Sequence, residues 1–274
     1  MIRLRRIFSY SLLWFISICL IACLLWCVVV GLEIEIRRYK DINLRDGVVV
    51  DGFPSVGLVS SISASYLIAA LQLDQIAVLD SPHFPPISLI FDGKPKFPAR
   101  IHASEKPKLA VFSAEFTPNP ALDRALAKKI LSWSKDHYCR LIVTIVGRPV
   151  EEAALTPSAQ DVVAVGSTER ARRLIEGAGL EQMRLGMITG IPGTLLNEGR
   201  WENFDVVAIV VKAREHIADA TAAVKALTAF CKLVPDISLD ITPLAQEAEE
   251  IEARLRVMRK EVATVQQPLT EIYR

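Results

Sequence analysis

Twenty-six consecutive residues without a charged side chain, Ile7 to Leu32, divide this chain of 274 residues into two parts. At about 1.5 Å per residue, a helix of that length crosses the roughly 30 Å hydrocarbon layer of a membrane. The segment therefore predicts a transmembrane helix that anchors the chain. The fold must then be built by the body, residues 33–274, which has enough apolar residues to bury a core.

A second interpretation is that residues 1–32 are a translation of sequence upstream of the true start. No methionine lies between Met1 and Met183, so such a start would need a GUG codon at Val28–Val30 or a UUG codon at Leu32. Contact with a membrane, as in an anchored scaffold, is expected only if the segment is a real anchor.

Charge and cysteine content narrow the partners of the body. The chain carries a formal charge of +1, and its first 32 residues contribute +3, so the body is near −2. A body without a cationic field is poorly suited to nucleic acid. Its two cysteines, Cys139 and Cys231, form no disulfide pattern, which indicates a reducing compartment and a cytoplasmic body.

Short β-branched runs alternate with helical patterns along residues 33–241. This alternation predicts an α/β domain with a mostly parallel sheet flanked by helices. One antiparallel hairpin is expected around Asp92-Gly93-Lys94-Pro95, between strands at 87–91 and 97–102. The clearest strands are expected at residues 47–51, 75–80, 109–114, 141–146 and 206–211, and the clearest helices at 58–73, 121–138 and 213–230.

The end of the body has a different periodicity. Thr242-Pro243 predicts a helix start, with threonine as N-cap and proline in the first turn. Apolar residues then recur in steps of four and three, as in a heptad seam, at Leu244, Ala248, Ile251, Leu255, Met258, Val262 and Val265. This helix, 242–267, either packs on its own domain or associates with a partner or a second copy. Pro268 ends it and leaves a tail, 268–274.

The Gly52–Gly57 loop has the glycine spacing of a phosphate loop but lacks its chemistry. Leu58 and Val59 stand where such a loop needs lysine and a hydroxyl, and Phe53 stands where a nucleophile elbow around Ser55 needs glycine. The loop is best interpreted as a tight βα turn in which glycine permits close packing. The alternative is an anion bound at the following helix N-terminus.

No other residues compose a catalytic or metal site. The four histidines, His83, His102, His137 and His216, show no ligand spacing, and Glu115 stands alone at a strand end. Gly190-Ile191-Pro192-Gly193 is interpreted as a second glycine-rich βα turn. We therefore expect no catalytic residue, no metal and no cofactor.

Turn residues at three places in the chain carry a family resemblance: Gly52, Phe53, Pro54, Gly57, Asp80, Pro82, Pro85, Pro86, Gly190 and Gly193. These turns resemble those of the proteasome assembly chaperone family, especially its archaeal, homo-oligomeric branch. The resemblance covers residues 33–234. It implies an α/β sandwich shaped like nucleoside phosphorylases, without catalysis, that binds the α-ring of the core proteasome as an assembly chaperone or gate-binding factor.

The last three residues match a second feature of proteasome partners. Ile272, Tyr273 and Arg274 fit a C-terminal hydrophobic–Tyr–any motif, which in such partners inserts between neighbouring α subunits. The resemblance therefore implies a homo-oligomer whose tails dock into α-ring pockets. The alternative is a phosphorylase-like or ligase-type enzyme that binds an anion at the Gly52–Gly57 loop.

Overall fold

The β-branched runs of the sequence form strands of one eight-stranded sheet. The structure is a computed structural model, and it describes residues 34–150 and 161–246. The strands of the sheet are β1 (Glu35–Arg38), β2 (Val48–Gly52), β3 (Asp74–Asp80), β6 (Ala99–Glu105), β7 (Lys108–Ala114), β8 (Leu141–Pro149), β9 (Val162–Gly166) and β10 (Val206–Ala213). A separate hairpin pairs β4 (Leu89–Phe91) with β5 (Lys94–Lys96). The α-helices are α1 (Val59–Ala70), α2 (Asp123–Asp136), α3 (Glu169–Gly177), α4 (Gly190–Trp201) and α5 (Ala220–Leu233).

The sheet has a parallel centre and antiparallel flanks. Its order is β1-β3-β6-β7-β2-β8-β10-β9. Strands β7, β2, β8 and β10 run parallel, whereas β6, β3 and β1 continue the sheet antiparallel on one side and β9 does so on the other. The predicted α/β class, with a parallel sheet core flanked by helices, is confirmed.

Alternate residues of the central strands feed two separate hydrophobic cores. On β2, Val48 and Val50 pack in one core, and Val49 packs in the other. Leu67 of α1 and Phe230 of α5 lie in the first core. The second core contains the apolar side chains of α2 and α4, including Leu126, Ile130 and Leu195. The sheet is therefore the middle layer of three, which is why its central strands are apolar on both faces.

The hairpin is shorter than predicted, and its second strand is not the predicted one. Asp92 and Gly93 have φ of 50° and 71°, so they form a two-residue turn that pairs β4 directly with β5. The expected second strand instead becomes β6, between β3 and β7 in the main sheet. The strand predicted at 87–91 contains β4, but the prediction that 97–102 is its partner was wrong, because the Asp-Gly pair alone closes the hairpin onto β5.

The Gly190–Gly193 segment is the first turn of α4, so its interpretation as a βα turn was wrong. Gly190 has a positive φ of 74° at the helix start. A Cβ on Gly193 would lie 2.2 Å from the carbonyl oxygen of Ile188. Proline is tolerated in a first helical turn, where its missing N–H has no partner to lose. Glycine and proline therefore start this helix instead of excluding it.

The predicted transmembrane helix requires a correction. No helix within residues 34–150 and 161–246 is both long enough and apolar enough to cross a membrane, and residues 7–32 lie outside that part of the chain. At the other end, residues 242–246 are helical, as predicted. Thr242 is itself helical, and the carboxylate of Asp240 accepts its N–H at 2.9 Å, so the capping side chain is aspartate. The rest of the heptad helix and the tail lie outside the described residues.

Candidate functional site

The Gly52–Gly57 loop forms one wall of a cleft at the carboxyl edge of the parallel strands. The cleft has a volume of about 220 Å³. Residues after β7, the end of β8 and the first turn of α4 supply the other walls. Open α/β sheets place their ligand sites at this edge, so the cleft is the first position to test for chemistry.

Glycines in and around the loop serve close packing. A Cβ on Gly52 would lie 2.3 Å from the Cβ of Ala64 on α1. A Cβ on Gly147 of β8 would lie 2.0 Å from the carbonyl oxygen of Val56 in the loop. Gly57 has a φ of 65°, which glycine adopts without strain. These contacts agree with the close-packing interpretation of the turn.

Charge in the cleft opposes the anion-binding alternative. Among the residues that the structure describes, the lining includes two carboxylates, Asp51 and Asp123, and contains no lysine, arginine or histidine. A phosphate loop needs cations or free backbone N–H groups near its ligand. The two carboxylates would instead repel a phosphate. The cleft therefore gives no support to an enzyme that binds an anion at this loop.

Asp51 is the most perturbed group in the cleft. Burial raises its pKa to about 6, although the Thr144 hydroxyl and the Phe53 N–H donate to it at 2.8 and 3.2 Å. The negative charge of Asp123 raises that pKa further, and burial raises the pKa of Asp123 as well. Asp51 and Thr144 are register partners on β2 and β8. The carboxylate thus ties the loop to the neighbouring strand at the cost of burying a charge.

The end of β3 and the connector that follows it contain four of the predicted turn residues, Asp80, Pro82, Pro85 and Pro86. Asp80 pairs with Arg37 of β1 at 2.9 Å and accepts the N–H of Ser81 at 2.9 Å. Phe84, between the prolines, packs edge-on against Phe116 at 4.9 Å between ring centroids. The connector therefore docks beside the end of β7 and does not line the cleft.

Of the other residues weighed as catalytic, Glu115 and His137 have structural partners, whereas the buried Nδ1 of His102 has no hydrogen-bond partner among the described residues. Glu115 forms a 2.6 Å ion pair with the buried Arg100. His137 stacks on Trp133 at 3.9 Å, and burial lowers the pKa of His102 to about 4. Within the described part of the chain, no three histidine, cysteine or acidic side chains are grouped as they would be around a metal ion.

A second cavity lies on the other side of the α4 start. Gly190 lines the cleft, whereas Gly193 lines a groove of about 350 Å³ between α4, β9 and the segment before α4. Its described lining includes Arg184 and Arg200 and no carboxylate. The first turn of α4 therefore lies between the two cavities, and the absence of a side chain on Gly193 lets it approach the backbone of Ile188.

Sequence reasoning missed the side chains that give these cavities their charge. Asp51 carried a usable signal, since an acid directly follows the buried run Val48–Val50. Asp123, Arg184 and Arg200 carried none, because each is one of many charged residues on helices or loops. The three residues of the tail, Ile272, Tyr273 and Arg274, lie outside the described residues, so their docking role stays a prediction.

Fold and cavities together define a class of protein: a three-layer α/β domain whose carboxyl-edge cleft lacks a recognisable catalytic set among the described residues. The family model named PAC2 family matches residues 49–259. The chain belongs to the PAC2 family, which agrees with the family resemblance seen in the sequence.

Two solved structures and one further protein sequence are similar to this chain over most of its length. The crystal structure of Pyrococcus furiosus PbaA, titled an archaeal homolog of proteasome-assembly chaperone, matches with a TM-score of 0.74 and 25% identity over 85% of this chain and 94% of that chain. Pyrococcus furiosus PbaB, titled an archaeal proteasome activator, matches with a TM-score of 0.71 and 26% identity over 84% and 100%. An uncharacterised protein of Methanocaldococcus jannaschii, MJ0106, is 24% identical over 220 residues, 80% of this chain and 88% of the relative.

Proposed function

We propose that this protein binds the core proteasome, as an assembly chaperone or as an activator that acts at the gate, without catalysis. The observation that carries the proposal is the match along most of the body to PbaA, an archaeal homolog of proteasome-assembly chaperone, and to PbaB, an archaeal proteasome activator. A partner of the proteasome must share its compartment, so the proposal places the body in the cytoplasm. The carboxylate-lined cleft, which disfavours an anionic substrate, supports a role without chemistry.

The proposed contact is the C-terminal tail inserted into pockets of the α-ring. Ile272 would fill an apolar notch, and Tyr273 would add a flat ring and one hydroxyl at low entropic cost. The α-carboxylate of Arg274 would pair with a lysine of the pocket. Fully extended, residues 269–274 reach about 20 Å beyond Pro268, at roughly 3.3–3.6 Å per residue.

Self-association would make weak tails effective. One tail offers only three contact residues, whereas several tails on one oligomer facing a ring of pockets gain avidity of roughly 10²–10⁴. The heptad pattern after Thr242 is the part of the sequence best suited to bring copies together. A homo-oligomer is therefore part of the proposal.

The test is a binding assay between the full chain and purified core proteasome. Tyr273→Ala should weaken α-ring binding at least roughly 30-fold, as expected for loss of an aromatic anchor. Tyr273→Phe keeps the ring and should retain most of the binding. Thr270→Ala, in the same tail, is the matched control. All three should leave the melting temperature unchanged. Undiminished capture by Tyr273→Ala, or by a chain with a C-terminal tag, would rule out the tail mechanism.

A further inference from the structure

The groove beside Gly193 combines apolar walls with unpaired positive charge. Met183, Ile188 and Leu196 contribute apolar lining. Arg184 and Arg200 also line it, and neither guanidinium has an ion-pair or hydrogen-bond partner among the residues that the structure describes. Other arginines near this region do have one, such as Arg170, which pairs with Asp205 at 3.0 Å. The groove is therefore a place where a carboxylate would find cations without displacing another acid.

Large apolar side chains near the groove are exposed to solvent. Leu185 is 94% exposed and Met187 is 85% exposed, both in the segment that borders it. Trp201, which follows Arg200 at the end of α4, is 87% exposed. Leu185 lines the groove, and Met187 and Trp201 are next in sequence to residues that line it, Ile188 and Arg200. Surface apolar residues that stand singly need no explanation, but such a group indicates a contact surface. A volume near 350 Å³ lies at the lower end of the roughly 300–1,000 Å³ range of ligand pockets, enough for a few side chains.

The chain itself contains a segment of complementary chemistry. Residues 269–274 read Leu-Thr-Glu-Ile-Tyr-Arg and combine three large apolar side chains with two carboxylates, those of Glu271 and of the chain end, against one guanidinium, so the segment is net negative. Carboxylate–guanidinium pairs are short, can be bidentate and orient a peptide as well as hold it. An extended peptide of this kind matches the groove in both charge and polarity.

We propose that the groove between α4 and β9 is a resting site for the C-terminal segment 269–274 of this chain. Arg184 and Arg200 hold its carboxylates, and Ile272 and Tyr273 cover the exposed Leu185 and Met187. The inference rests on the proposed function, because the same tail is then shared between the groove and the α-ring. The groove thereby regulates how many tails are free to dock.

Photocrosslinking in the full chain tests the contact. Tyr273 is replaced by p-benzoylphenylalanine, whose ketone inserts preferentially into methionine side chains, and Met183 and Met187 both lie at the groove or its border. Irradiation and mass spectrometry should find the tail joined to the peptide that contains these two methionines. Crosslinks that map elsewhere, or none at all, would overturn the proposal.

Charge variants separate specific docking from chance contact. The double substitution Arg184→Glu with Arg200→Glu should reduce the crosslink yield roughly tenfold, since it replaces two attractions by two repulsions. The pair Arg184→Lys and Arg200→Lys keeps the charge and should retain most of the yield. Both arginines are exposed, so an unchanged melting temperature should accompany each variant. A yield that does not respond to charge reversal would contradict the assignment.

The α-ring assay distinguishes failure of this inference from failure of the proposed function. If both the resting site and the proposed function hold, the two glutamate substitutions free the tail and increase α-ring binding severalfold over the wild-type chain. If the tail crosslinks to the groove but the wild-type chain does not bind α-rings, the resting site stands and the proposed function falls. If the wild-type chain binds α-rings but no groove crosslink forms, only the resting site falls.

Discussion

Gly147→Ala is expected to lower the free energy of unfolding by about 3 kcal/mol, because it forces a backbone displacement in a packed region. The added Cβ would lie 2.0 Å from the carbonyl oxygen of Val56 and 2.9 Å from its carbonyl carbon. Neither atom is the end of a flexible side chain, so the loop between β2 and α1 must move away from β8. Equilibrium denaturation of the full chain in guanidinium chloride measures the change.

Gly177→Ala is the matched control for that experiment. Gly177 is the last residue of α3, and a Cβ placed on it would meet nothing within 4 Å. Alanine there should be neutral or stabilising by up to about 1 kcal/mol, since it restricts the unfolded chain more than the folded one. Equal stability of the two variants would mean that the β8 contact with the loop is not close-packed in solution.

The parallel centre of the sheet could be predicted because its strands carry a redundant signal. Runs such as Val48–Val50 and Val206–Val211 are β-branched and apolar on both faces, which only a doubly covered strand tolerates. Helix patterns between such runs then fix the crossover connections. Local sequence and tertiary environment agree here, so pattern reasoning was sufficient.

The antiparallel flanks depend on pairing, which no local pattern encodes. Residues 97–102 were predicted to pair with 87–91, their nearest apolar neighbour along the chain. In the structure, Ile101 pairs with Phe112 on one side and with Ala77 on the other. The competing strands are all apolar enough for either arrangement. The two-residue turn at Asp92-Gly93 favours the short hairpin, because it pairs β4 directly with β5.

The cavities could not be predicted because each assembles side chains from distant parts of the chain. Asp51 and Asp123 come together in the cleft across more than seventy residues, and the first turn of α4 completes it. That helix was itself missed, since glycine and proline at its start imitate a loop. A sequence can list charged residues, but it does not show which of them share a cavity when the packing that joins them is unknown.

Asp51→Asn is expected to make the protein more stable at pH 7.5 and to remove much of its pH dependence between pH 4 and 7. The pKa of Asp51 is raised by burial to about 6 in the folded protein, above the ordinary value of 3.8 that it regains on unfolding. The folded state therefore holds this proton more tightly. Its contribution to stability is complete below about pH 3.8 and is lost as the pH rises through about 6.

The magnitude follows from the same difference in pKa. The rise in the pKa of Asp51 from 3.8 to about 6 corresponds to roughly 3 kcal/mol. The free energy of unfolding of the asparagine variant should therefore exceed that of the wild-type chain by about 1–3 kcal/mol at pH 7.5. The amide preserves the local bonds, because its oxygen can accept the Phe53 N–H and its nitrogen can donate to the Thr144 hydroxyl. Urea denaturation at pH 4, 5.5 and 7.5 gives the profile.

The control and the contradicting result for this prediction come from the same denaturation series. Asp41→Asn removes a carboxylate whose side chain is 92% exposed, so it should leave the profile parallel to that of the wild-type chain. An Asp51→Asn profile that also stays parallel, or that lies below wild type at pH 7.5, would show that the buried carboxylate is stabilised by its two donors after all. The carboxylate would then be a net stabilising link between the loop and β8.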